Sequence, residues 1–197
     1  MLVDYAKTQP ADIYKLMSQS VIPRPIAWIV TENGGVVNVA PFSYFTGLSS
    51  SPPTMVVSVG HKSDGTPKDT LRNLRETGKC TLCIIRPELL EKMHFSSKEL
   101  GHEVSEASAF DIPLCDFVEG YPPRIEGVPV AFACDLHSEI DLGGSKTVPL
   151  VLRITHQYID DSCMRDAQRL AVSFRPVARV GKGYALLGEE ITPPKMP

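Results

Sequence analysis

The chain has no apolar run near the roughly 20 residues that cross a bilayer, so no membrane-spanning helix is encoded. It has no excess of charge of one sign: 20 Lys and Arg stand against 23 Asp and Glu, a formal net charge of −3. A global electrostatic case for nucleic acid or an anionic membrane surface is therefore absent. Cysteine is scarce and odd in number, with five residues at Cys80, Cys83, Cys115, Cys134 and Cys163. Scattered in this way they do not form a disulfide framework. No second C-x-x-C and no H-x-x-x-H accompanies them. His61, His94, His102, His137 and His156 also fall in no ligand spacing, and no metal is expected. No G-x-G-x-x-G follows a strand, which excludes an encoded Rossmann dinucleotide site. No G-x-S-x-G nucleophile elbow occurs either. Met1 to Gln19 is polar and mixed in charge, unlike a secretory leader, so a cytoplasmic location is expected.

What is present is the composition of a globular domain: 197 residues, 43% of them hydrophobic. That is enough to bury one substantial core, and no composition shift divides it, so residues 1–197 are read as a single domain. Apolar, β-branched runs recur between Gly- and Pro-rich turns. Ile26 to Thr31 and Val36 to Ala40 flank Glu32-Asn33-Gly34-Gly35, whose Asn-Gly step favours a tight hairpin. Pro53 to Gly60, Lys79 to Ile85, Val128 to Leu142, Thr147 to Ile159 and Pro176 to Leu187 also read as strands, and Asp141 to Lys146 as a turn. Helices are predicted near Asp12 to Ser18, over Lys68 to Thr77 with Gly78 just past the end, and after Pro87. Ser97 to Leu114 reads as irregular or helical excursions covering the barrel, and the C-terminus as a Pro-rich tail. The architecture this predicts is mainly β with helical additions, an α+β antiparallel barrel. Cys80-Thr81-Leu82-Cys83 has redox spacing, but it lies in a strand, where residues three apart face opposite ways. Two packed cysteines are expected there rather than a dithiol at a helix start.

The segment from Phe42 to Leu48 sets aromatic residues beside small polar ones. That mixture suits a planar heterocycle, which needs rings to pack on and fixed donors to read its edge. Trp28, the single tryptophan, reads as core. The order S-x-I-P-R-P-I-A-W-I-V-T, N-x-A-P-F-S-Y-F, P-P-T-M-V-V-S-V and K-D-T-L-R-N-L-R-E-T-G resembles the flavin reductase-like, flavoredoxin-type proteins. So do P-P-R-I at Pro122 to Ile125, D-L-G-G-S at Asp141 to Ser145 and R-V-G-K-G-Y at Arg179 to Tyr184. The resemblance runs from about Ser20 to Tyr184 and rests on the order of these pieces rather than on any one. It implies an FMN-binding split β-barrel.

The resemblance also implies a site. Locally, Asp69 and Thr70 read as caps of the helix and Lys68 as a solvated charge. The resemblance sets Lys68, Asp69 and Thr70 at the FMN phosphate, where helix-start N–H groups favour an anion, with Asp69 orienting the turn. Arg24, stiffened between prolines, suits a phosphate or carboxylate. Asn38, Ala40, Pro41, Ser43 and Phe45 fall where relatives contact flavin, with Ser58 on the next strand. Thr46 stands where many relatives carry Asn, which removes any amide contact there. Arg179 and Tyr184 belong to an element found near the flavin or the subunit contact. His61 reads as a solvated loop residue beside the Lys68 turn.

The activity implied is hydride transfer from NADH or NADPH to flavin, then electron passage to an acceptor such as a partner monooxygenase or redox protein. The flavin carries the chemistry, so no catalytic side chain is singled out. A homodimer is implied, since a split barrel has open edges to cover. Two alternatives stay open: a flavoredoxin-type electron carrier holding FMN tightly with little NAD(P)H turnover, and a barrel that binds a ligand other than redox-active flavin.

Overall fold

A computed structural model describes residues 1–194. The proline-rich end expected as a tail runs past these residues. Helix α1 spans Pro10–Ser20, with Pro10 at its first turn, where a missing N–H costs nothing. The strands that follow are β1 Arg24–Pro25, β2 Ala27–Asn33, β3 Val36–Phe42, β4 Phe45–Ser50 and β5 Pro53–Gly60. Helix α2 covers Asp69–Thr77 and β6 covers Lys79–Ile84, then come the short helices α3 Leu90–Phe95 and α4 Glu106–Ala109. The chain continues with β7 Leu114–Cys115, β8 Arg124–Ile125, β9 Val130–Glu139 and β10 Thr147–Ile159. It closes with β11 Met164–Asp166, β12 Ala171–Val172, β13 Val177–Val180 and β14 Gly183–Leu186.

Seven strands form one antiparallel sheet in the order β3-β2-β6-β9-β10-β5-β4. Its two edges, β3 and β4, are joined by Ser43 and Tyr44 alone. So short a link forces the sheet to curl until its edges meet, and yet β3 and β4 do not pair. The result is a split barrel, and the Ser58 N–H, donating to the Tyr44 carbonyl at 2.9 Å, extends the β4–β5 pairing into the link. The β2–β3 hairpin pairs Asn33 with Val36, so its loop is Gly34-Gly35. Positive φ falls on both glycines (58° and 79°) rather than on Asn33, as the twist of a two-residue hairpin requires.

Both faces of the central strands are buried, because the barrel is filled from inside and covered from outside. Ala27, Ile29, Leu82, Leu150 and Leu152 line the interior, and α2 plugs it with Leu71 and Leu74. Burying each leucine contributes roughly 1.5–3 kcal/mol. Trp28, Val30, Cys83 and Ile85 pack outside against Met93 of α3 and Ala107 of α4. The Trp28 indole N–H donates to Ser96 Oγ at 2.9 Å. Cys80 thus lies in the inner core and Cys83 in the outer one, and the C-x-x-C spacing makes no dithiol. Burial pushes the Cys83 thiol up to about 12.

Three expectations need adjustment. The run Val128 to Leu142 is a strand over Val130–Glu139 alone. Pro176 to Leu187 is not one strand but the β13–β14 hairpin, turning at Gly181 with φ of 50°. The helix after Pro87 starts as a 3₁₀ turn over Pro87–Leu89 before α3.

Candidate functional site

Two adjoining cavities beside the gap in the barrel form the candidate site. The residue before α2, Lys68, takes an extended conformation and makes no side-chain cap. Asp69 is the first helical residue, so it does not cap the helix as the local sequence suggests. Its carboxylate instead holds Lys62 Nζ at 2.7 Å and Arg72 at 3.0 Å. The first intrahelical N–H bond is that of Arg72 to the Lys68 carbonyl. The N–H groups of the first turn before it are left free of helical partners, as at every helix start. They open onto a small cavity of about 70 Å³ lined by Asn38, Ala40, Lys62, Lys68, Thr70 and the 96–100 segment.

Asn38 braces this end. Its amide donates to Thr70 Oγ1 at 3.0 Å and to Thr31 Oγ1 at 3.2 Å. Asn73 of α2 donates to the same Thr31 hydroxyl at 3.1 Å, so β2, β3 and α2 are tied by buried polar side chains. Lys68 is held only loosely, 3.9 Å from Glu99. Two ammonium groups, free N–H groups and a threonine hydroxyl form a donor set suited to a phosphate. Opposing them, Glu106 reaches the wall from α4 and accepts from the Val39 N–H at 3.0 Å.

Pro41, Phe42 and Ser97 line this cavity and also a larger one of about 270 Å³, so the two adjoin. The larger cavity takes Ser43, Tyr44, Ser58, His94, Arg179 and Tyr184 in its walls. Tyr14 of α1 approaches Tyr44 with ring centroids 6.2 Å apart. Burial pushes the Tyr44 hydroxyl up, the nearby Tyr14 adds to this, and Arg24 opposes it. His94 Nδ1 lies 2.8 Å from the Tyr184 hydroxyl, and the Arg179 guanidinium stacks 4.8 Å over the Tyr184 ring. A donor-rich slot opening into a tyrosine-walled cavity suits a ligand with an anionic end and a planar end.

Asn38, Ala40, Pro41, Lys68, Asp69 and Thr70 come together at the small cavity. Pro41, Ser43, Ser58, Arg179 and Tyr184 come together at the larger one. Phe45 lines neither and packs on the inner core. Arg24 lines neither as well. It is 4% exposed, and its guanidinium donates to the Val21 carbonyl at 2.9 Å and to the Ser18 carbonyl. The structure therefore gives Arg24 the carbonyls at the end of α1, and the face of Tyr44 at 5.6 Å, in place of the expected phosphate or carboxylate. Those carbonyls lack helical partners and carry the negative end of the helix dipole, which is why a cation settles there.

Sequence reading missed Lys62, His94, Ser97, Tyr14 and Glu106. Only Lys62 had a signal, as a cation in the loop leading to Lys68. The others reach the site by long-range packing alone.

A sequence model of the flavin reductase like domain matches residues 17–175. YwrF of Bacillus subtilis, an uncharacterised protein, is 34% identical over 190 residues, covering 92% of each chain. Nitrilotriacetate monooxygenase component B from Bacillus cereus has a similar structure, with a TM-score of 0.88 at 27% identity over 98% of each chain. The 2-nitrobenzoate 2-nitroreductase NbaA of Pseudomonas fluorescens has a TM-score of 0.89 at 26% identity, covering all of this chain and 96% of its own. The flavoredoxin of Desulfovibrio vulgaris (Miyazaki F) shares the fold, with a TM-score of 0.71 at 17% identity over 88% of this chain and 91% of its own.

Proposed function

The chain belongs to the flavin reductase like domain family, and on that premise we propose that it binds FMN and works as an NAD(P)H-dependent flavin oxidoreductase. The observation that carries the proposal is the pair of adjoining cavities, cationic at the start of α2 and tyrosine-walled beyond Pro41 and Phe42. Lys68, Lys62, Thr70 and the first N–H groups of α2 hold the phosphate. Asp69 keeps Lys62 in place, and Asn38 fixes the Thr70 hydroxyl. The backbone at Ala40 and Pro41, with Ser97, borders the passage between cavities. Ser43 and Ser58 offer hydroxyls where that passage widens, beside Tyr44.

The bound flavin supplies hydride acceptance from NADH or NADPH and release of electrons to an acceptor. The protein binds, orients and excludes water, and no side chain is required to hold a proton for that transfer. The likeness to component B of a nitrilotriacetate monooxygenase supports a partner monooxygenase or other redox protein as onward acceptor. Exposed apolar residues on α1 and the open edge strand β4 support a homodimer.

The deciding experiment is the visible spectrum of the purified protein before and after anaerobic NADH or NADPH. A flavin spectrum that bleaches is expected. A flavin spectrum unchanged by either nucleotide would assign the flavoredoxin-type carrier. Protein that is colourless and takes up no added FMN would overturn the proposal.

A further inference from the structure

The small cavity is lined by the cations Lys62, Lys68 and Lys98, yet carboxyls of Asp69, Glu99 and Glu106 face it as well. Two of these carboxyls are answered by cations. Asp69 holds Lys62 at 2.7 Å and Arg72 at 3.0 Å. Glu99 accepts from the Ser63 hydroxyl at 3.1 Å and has Lys68 at 3.9 Å. Glu106 has no cation in ion-pair range among the described residues. Strand β3 holds it in place. As an edge of the sheet, β3 pairs with β2 on one side only, and on the other side the Val39 N–H donates to Glu106 Oε2 at 3.0 Å. Among the described residues Oε1 has no side-chain donor, although Glu106 is only 5% exposed. Burial favours its protonated form. A carboxylate beside a bound anion is tolerated when one proton lies between the two.

We propose that Glu106 makes this cavity selective for a phosphate monoester, an anion with which it shares a proton. The proposal rests on reading the cavity as the FMN phosphate site and adds the rule by which that site chooses its anion. A monoester exchanges its last proton at about pH 6, so either partner can carry it. With the proton on Glu106, Oε1 donates to the phosphate; with the proton on the phosphate, Oε1 accepts. In both cases Oε2 keeps its bond to Val39. Sulfate and phosphodiesters bind a proton far more weakly. They leave the Glu106 proton poorly shared or face a bare carboxylate, and the site works against them.

The test compares inorganic phosphate with sulfate as displacers of FMN from the full-length protein, read by flavin fluorescence at pH 8, where both anions are mainly doubly charged. Phosphate is expected to act at a concentration at least about tenfold lower than sulfate, because a site built around a hydrogen bond rejects the analogue that cannot make it. Glu106→Gln should bring the two anions to parity. FMN binding at pH 8 should also take up a proton, measured as different binding heats in two buffers of unlike ionisation enthalpy. That measurement needs no variant and carries the test if Glu106→Gln does not fold. Parity of the two anions in the parent protein would overturn the proposal. So would FMN binding without proton uptake, or a folded Glu106→Gln that keeps the preference for phosphate. Protein that binds no FMN defeats the flavin assignment by itself, and direct calorimetric titration with the two anions then decides the selectivity by the same ratio.

Discussion

Glu106 is the residue whose environment contradicts its chemistry most sharply. It is 5% exposed, on a four-residue helix, facing the site where we place an anion. Burial pushes its carboxyl above the ordinary glutamate range, the Val39 N–H and Lys62 pull it back, and Asp69 adds to the rise. A carboxyl raised on folding binds protons that the unfolded chain has already released. Its contribution to stability is full below the ordinary glutamate value and declines as pH rises through the raised one. Glu106→Gln keeps an acceptor for Val39 and has no charge to desolvate. Thermal melts from pH 4 to pH 8 should show the variant gaining on the parent as pH rises. A difference that stays flat with pH would remove the argument. At the same cavity, Lys68→Ala should weaken FMN by about ten- to a hundredfold, the roughly 1.5–3 kcal/mol that a charged hydrogen bond contributes. Lys62→Ala should cost at least as much, because it also leaves Asp69 with Arg72 as its remaining ion-pair partner. Flavin fluorescence titration reads both.

Helix α2 is the element on which fold and site depend together. Its inner face fills the barrel through Leu71 and Leu74, both fully buried, while its start faces the small cavity. Leu74→Ala should cost about 2–5 kcal/mol in denaturant unfolding, since a barrel interior closes poorly over a void. The helix ends because Gly78 turns left-handed at φ 72°, its N–H returning to the Leu74 carbonyl at 2.9 Å. A Cβ there would meet nothing within 4 Å, so the cost of Gly78→Ala is backbone strain alone, about 1–2 kcal/mol. A loss much above that would mean the turn carries contacts beyond its own dihedral angles. Weakening α2 should also lower FMN affinity, because the helix start and its leucines move as one body.

For the whole molecule, the split in the barrel does two things at once. It opens the end of β3, where Pro41 and Phe42 border both cavities and Ala40 the small one. It also leaves β4 as an edge strand with Thr46 to Ser50 exposed. Leu48 is 54% exposed on that edge, and Val21 and Ile22 are exposed between α1 and β1. Uncovered edges and apolar side chains invite association, and a second copy would satisfy both. Light scattering should report twice the mass of one chain. Leu48→Glu should lower it toward one, and a mass of one for the parent protein would sink the dimer.

The sequence by itself determined the local pieces. Strand β5 matches the alternating run Pro53 to Gly60, and α2 ends at the glycine that favours a left-handed turn. Cys80 and Cys83 part to opposite faces because strand geometry leaves no choice. Such features depend on backbone dihedrals and on side-chain period, which neighbours a few residues apart already set. Only the tertiary structure decided which pieces meet. His94 reaches Tyr184 across ninety positions of chain, and Glu106 reaches Val39 across sixty-seven. Lys62 and Ser97 enter the small cavity because α2 and the 96–100 segment converge on it. Arg24 looked like an anion ligand and became a tie to the end of α1, because carbonyls there lack helical partners, which no local pattern announces. Strand order and barrel curvature fix these encounters, and both come from long-range burial that balances over the entire chain.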